Sequence, residues 1–177
     1  MSPADAVARA AAALAPSFRV ASPPSSGRVR LESEDPGLPD VELSLVRDGR
    51  LFSRTWPLVV TAVREGPGPP APTSLRLRRP RLGGPLGLTG PPVSDPWAGR
   101  FAEAGLVAGA TTMTGIQELR LTWSPDERRW TLRLQTLAGA LIGTAPGSSI
   151  AVPLEPDDVD GLLRILRGFL NALATPP

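Results

Sequence analysis

Leu119-Arg120-Leu121-Thr122-Trp123-Ser124-Pro125-Asp126-Glu127-Arg128-Arg129-Trp130-Thr131-Leu132-Arg133-Leu134 is the stretch on which the fold turns. Two alternating runs flank a polar segment, and a period of two marks a half-buried strand. If Trp123 pairs with Trp130 across the turn 124–129, Leu121 faces Leu132 and Leu119 faces Leu134. All six apolar side chains then share one face. A slip of one residue would carry half of them into water, so burial specifies the register. The other face would carry Arg120 opposite Arg133, beside Thr122 and Thr131.

A sheet with one apolar face needs a cover, and the C-terminal segment supplies it. Val159, Leu162, Leu163, Leu166, Phe169, Leu170 and Leu173 recur at helical spacing as one apolar stripe. Pro156 suits the first helical position, and Asp157, Asp158 and Asp160 lie at the positive end of the helix dipole. Arg164 and Arg167 follow on the polar side. At the other end, Ser2, Pro3 and Asp5 read as N-cap, N1 and N3 of an alanine-rich helix that stops by Pro16. Alanine buries little, so this helix is expected to lie alongside the sheet.

Between Phe18 and Arg79 the period is two again. Strands are expected at Phe18–Val20, Arg28–Glu32, Val41–Val46, Leu51–Arg54, Trp56–Arg64 and Ser74–Arg79. Pro/Gly/Ser punctuation and the Asp48-Gly49 turn signal separate them, which suggests an antiparallel meander. Gly66 to Thr73 is a proline-rich loop. Pro80 to Pro96 is longer, and a structureless connection of that length is usually functional or mobile. It has neither a Walker lysine nor dinucleotide glycine spacing. The state of Trp97 to Leu106 stays open; a short helix is expected around Thr112 to Glu118 and a strand at Ser149 to Leu154.

The whole reads as one α+β domain over residues 1–177, a mostly antiparallel sheet packed by a C-terminal amphipathic helix, with a short N-terminal helix. Loop 80–96 is the one place where two subdomains could join. A chain of this length buries roughly 70% of its unfolded surface, enough for a core without disulfides or structural metal.

Composition narrows the chemistry. The chain has no histidine, cysteine, lysine or tyrosine, and all 19 positive side chains are arginine. That removes the thiolate, the imidazole base, the Schiff-base amine and the phenol. Serine catalysis would lack its base. Richness in Ala, Arg, Gly and Pro fits a GC-rich coding sequence. The pI near 10.7 is no nucleic-acid signal, because almost nothing titrates between the carboxylates and the arginines. The net charge is only +2, which is close to neutral. No apolar run reaches the length of a membrane span, and the first 16 residues make a poor secretory signal, so a cytoplasmic location is expected.

Arg76, Arg78, Arg120 and Arg133 are the candidate anion- or partner-binding residues, with Arg79 and Arg81 next to them in sequence. Like charges opposite one another on paired strands are unfavourable, so an anion or carboxylate between them would help. The competing reading is a solvated face paired with Glu118, Glu127 and Glu65, and exposed charge more often serves solubility. Trp97, Trp123 and Trp130 could stack bases, but the derived register puts the latter two on the leucine face, as core; Trp56 is read as core too. Glu155, Asp157, Asp158 and Asp160 lack the spacing of a calcium loop and are explained by the helix start. No cofactor or metal is expected.

Gly83-Gly84, Leu86-Gly87 and then Asp95-Pro96-Trp97-Ala98-Gly99-Arg100-Phe101 resemble a motif of an uncharacterised bacterial domain family, Asp…Phe-Asp-Arg-x-Phe in type. Trp97 stands in place of the motif's first phenylalanine and Ala98 in place of its acidic residue. The resemblance covers about the last hundred residues and implies a helix, a strand hairpin and a terminal helix in that order. Its relatives are often membrane-tethered, and it implies no activity. The sequence therefore leads to a non-catalytic interaction or adaptor module with a protein partner. An anion or nucleic-acid binder using the four arginines is the alternative, and a carboxylate-based enzyme the third reading.

Overall fold

The hairpin forms in the expected register: Trp123 pairs with Trp130, Leu121 with Leu132 and Leu119 with Leu134. The computed structural model describes residues 1–47, 54–78, 85–145 and 148–174. The expected Asp48-Gly49 turn and most of the expected strand Leu51–Arg54 lie outside the described residues. In chain order, α1 (Pro3–Leu14) is followed by β1 (Phe18–Val20), β2 (Arg28–Ser33), β3 (Val41–Leu45) and β4 (Thr55–Glu65). Then come β5 (Thr73–Arg78), β6 (Gly87–Thr89), α2 (Asp95–Glu103) and α3 (Leu106–Thr112). The chain continues as β7 (Ile116–Ser124), β8 (Arg129–Ala145), β9 (Ser148–Ala151) and α4 (Pro156–Ala174). The architecture is α+β with an antiparallel sheet.

Strand order is β1-β2-β3-β4-β8-β7-β5-β6, with β9 pairing with β8 off this path. The expected meander holds through β4 and then breaks, because β8 and β7 stand between β4 and β5. The chain crosses the ends of those two strands in the proline-rich loop after Glu65. Two indoles hold it there: Trp130 Nε1–H donates to the Pro67 carbonyl at 2.9 Å and Trp123 Nε1–H to that of Pro69 at 2.8 Å. Each buried tryptophan thereby satisfies its one polar atom.

Leu43, Val60, Leu134, Leu132, Leu119, Leu121 and Leu75 point from five strands into one apolar cluster. Phe101 lies edge-on to Trp130, with centroids 5.1 Å apart, and stacks on Phe169 at 6.2 Å. α1 begins with a full capping box, the Ser2 hydroxyl accepting from the Asp5 amide while the Asp5 carboxylate accepts from the Ser2 amide. It buries Ala6, Val7, Ala10, Ala11 and Leu14.

Three local expectations are corrected. The described part of the 80–96 connection, residues 85–96, is not structureless: β6 and a 3-10 turn at Pro92–Ser94 lie within it, and α2 begins at Asp95. The helix expected around Thr112–Glu118 ends at Thr112, and Ile116 already belongs to β7. The last strand is Ser148–Ala151. β8 is longer than the hairpin required; at Gly139 (φ +79°) it leaves β7 and goes on to pair with β9. A side chain there would be strained by the positive φ and would press on Leu58.

Candidate functional site

The four helices bury their apolar residues in the cluster beneath one face of the sheet. The other face presents the alternate residues. Its register can be followed strand by strand: Arg30 pairs with Glu42, Glu42 with Thr61 and Thr61 with Arg133. Arg133 then pairs with Arg120, Arg120 with Arg76 and Arg76 with Thr89. Three arginines therefore stand directly opposite one another on β8, β7 and β5. At about 4.8 Å per strand their Cα atoms span ~10 Å. Arg78 lies two residues along β5, opposite Gly87. All four candidate arginines thus occupy one side of one face.

Charge is distributed unevenly over that face. On β1 to β3, Arg19 is bonded to Glu32, Arg28 to Glu42 at 3.3 Å, and Arg30 to Asp40 at 3.9 Å. Glu32 raises the Arg19 pKa by hydrogen bond and charge. On the other side, Arg120 reaches Glu118 at 2.7 Å and Arg129 reaches Glu127 at 2.8 Å, two of the carboxylates expected to neutralise the face. Arg76, Arg78 and Arg133 form no ion pair with any described residue. The Arg120 Nε and the Ser74 hydroxyl are buried without a hydrogen-bond partner. Both lie on the patch where β5 meets β7, since Ser74 pairs with Thr122 beside the Arg76–Arg120 pair.

A row poor in charge runs alongside the arginines: Ser74, Thr122, Thr131 and Val63. Val63 is 46% exposed, while Val59 and Ser44 are buried exceptions on this face. Trp97, Trp123 and Trp130 are buried on the helix-covered side, so the arginine row has no aromatic neighbour among the described residues. The exposed large apolar residues, Met1, Val20, Val46, Val63, Val93 and Ile150, come from six separate segments.

Elsewhere the sequence candidates take structural positions. The motif's Trp97 and Phe101 are buried on α2, and Arg100 lies over the Trp97 ring at 5.0 Å. Asp158, at the third position of α4, accepts from the Thr114 amide at 2.8 Å, the Thr114 hydroxyl at 3.0 Å and the Glu155 amide at 3.3 Å. Sequence reading saw its place at the helix dipole but not this bond to residue 114. Among the described residues, no group of three or more His, Cys, Asp or Glu is placed to hold a metal ion. Nor is any described helix long and apolar enough to cross a membrane. Glu65, Asp126 and Glu127 meet around an open hollow of about 700 Å³ at the hairpin tip, where Glu127 is engaged with Arg129. No family model, curated protein or solved structure matches the chain.

Proposed function

We propose that this protein is a non-catalytic binding module that holds a negatively charged partner on the helix-free face of its sheet. The observation that carries the reading is the direct opposition of Arg76, Arg120 and Arg133 on three adjacent strands, two of them without a carboxylate among the described residues. Opposed like charges cost about 0.2–1 kcal/mol per pair in an isolated sheet, and an anion bridging them reverses the sign. The adaptor and anion-binding expectations converge on this face, where the partner is recognised by charge.

The test is a titration with two soluble polyanions, polyglutamate and polyphosphate, at about 0.05 M and about 0.3 M salt. At least one should bind, more weakly at the higher salt, and Arg120→Ala/Arg133→Ala should lose at least about tenfold in affinity. No binding of either polyanion at low salt would sink the proposal.

A further inference from the structure

We infer that the occupant of this face is an acidic polypeptide segment, bound as a helix laid across β5, β7 and β8; the inference rests on the anion-binding reading above. The arginine row steps from strand to strand by about 5 Å, and carboxylates three and four residues apart on a helix stand about 5–6 Å apart. An extended segment would present its carboxylates on one side about 7 Å apart, out of step with the row. The adjoining row offers the Thr122 and Thr131 hydroxyls and an exposed Val63 to the uncharged flank of such a helix.

Nucleic acid fits this face poorly. Trp97, Trp123 and Trp130 are buried on the opposite face and cannot stack bases beside the arginines, and the net charge of +2 gives little long-range attraction. The cationic strip is only three strands wide. Beyond Thr61 the same row turns to Glu42, with Asp40 near it in the same hollow, and Glu118 lies on the other side of Arg120. A duplex resting on the strip would bring phosphates over these carboxylates. A short acidic helix along the row ends before it meets Glu42 and Asp40, and Glu118 is already neutralised by Arg120.

The probes are a labelled alanine-based peptide of about 15 residues with glutamates at helical i, i+4 spacing, the same composition broken by two central prolines, and a DNA duplex of matched charge. Fluorescence anisotropy at low salt should show the helical peptide binding at least about tenfold tighter than either of the others. Arg120→Ala/Arg133→Ala and, separately, Arg76→Gln should weaken that binding, while Arg19→Ala on the charge-balanced side leaves it within about twofold. Urea midpoints at or above wild type in these variants exclude misfolding as the cause of the loss. Tighter binding of the duplex, or equal binding of the broken peptide, overturns the inference and leaves the anion-binding reading standing. Peptide binding untouched by the arginine variants overturns both, and so does binding of no probe.

Discussion

Asp158 is 2% exposed; two of its accepted hydrogen bonds, from Thr114, join the start of α4 to the chain between α3 and β7, and the third, from the Glu155 amide, is local. Asp158→Ala would remove the acceptor of the Thr114 and Glu155 amides, and a hydrogen bond to a charged group is worth about 1.5–3 kcal/mol. We expect a loss of about 2–3 kcal/mol by urea denaturation. Asp158→Asn keeps one acceptor oxygen and should lose about half as much. Arg133 behaves oppositely. It is an exposed arginine facing another arginine, so Arg133→Thr replaces a like-charge pair with a residue suited to strands. The variant should be more stable by roughly 0.5 kcal/mol at low salt, with the gain shrinking as salt screens the repulsion. A destabilised Arg133→Thr at low salt would mean that the row is not repulsive in the free protein.

Helix α4 meets α3 through glycines. A Cβ on Gly109 would stand 2.7 Å from the Gly161 carbonyl oxygen and 2.8 Å from the Ile165 nitrogen. A Cβ on Gly161 would lie 2.8 Å from the Gly109 carbonyl oxygen. These are backbone atoms and cannot turn aside. Ala is better than Gly by about 1 kcal/mol in an exposed helix, but forcing two packed backbones apart costs about 1–3 kcal/mol. Gly109→Ala and Gly161→Ala should each lower the thermal midpoint, and Gly99→Ala, with open space around its Cβ, should raise it slightly. The same glycines explain why the apolar stripe was only partly legible. The buried face of α4 centres on Gly161, Ile165, Gly168 and Ala172, whereas Val159, Leu163 and Leu170 are half-buried flanks. Gly161, Gly168 and Ala172 carry little hydrophobic signal, and the fully buried Ile165 lies outside the expected stripe, so the buried face is rotated from it. In β7, a bulge between Ile116 and Glu118 interrupts the strand alternation. Ile116 and Leu119 then stand three apart, out of step with strand alternation, so the start of β7 within the expected helix Thr112–Glu118 has no period of two to mark it.

At the scale of the whole molecule, what was legible was local and what was missed was not. The hairpin register followed from burial within 16 residues, and with it the opposition of Arg120 and Arg133. That Arg76 completes the row depends on β5 passing two strands to reach β7, and no local pattern encodes that crossover. The far half of β8, Leu137 to Ala145, is rich in glycine and alanine and shows no alternation to read. Composition, by contrast, speaks for the entire chain. With no histidine, cysteine, lysine or tyrosine, no side chain titrates between the carboxylates and the arginines. The two acids with perturbed ionisation are Asp5, lowered from 3.8 chiefly by the Ser2 side-chain hydrogen bond, and Asp35, lowered from 3.8 by the Gly37 amide and then by Arg167. A carboxylate depressed on folding contributes stability above its unfolded pKa, and that contribution is lost as pH falls through the folded value. Both groups are exposed, so each effect is small. The thermal midpoint should therefore be nearly flat from about pH 6 to about pH 9.5 and fall below about pH 4, a fall that Asp35→Asn makes shallower. Scanning calorimetry across that range checks it. A slope near neutrality could come from no side chain of this sequence.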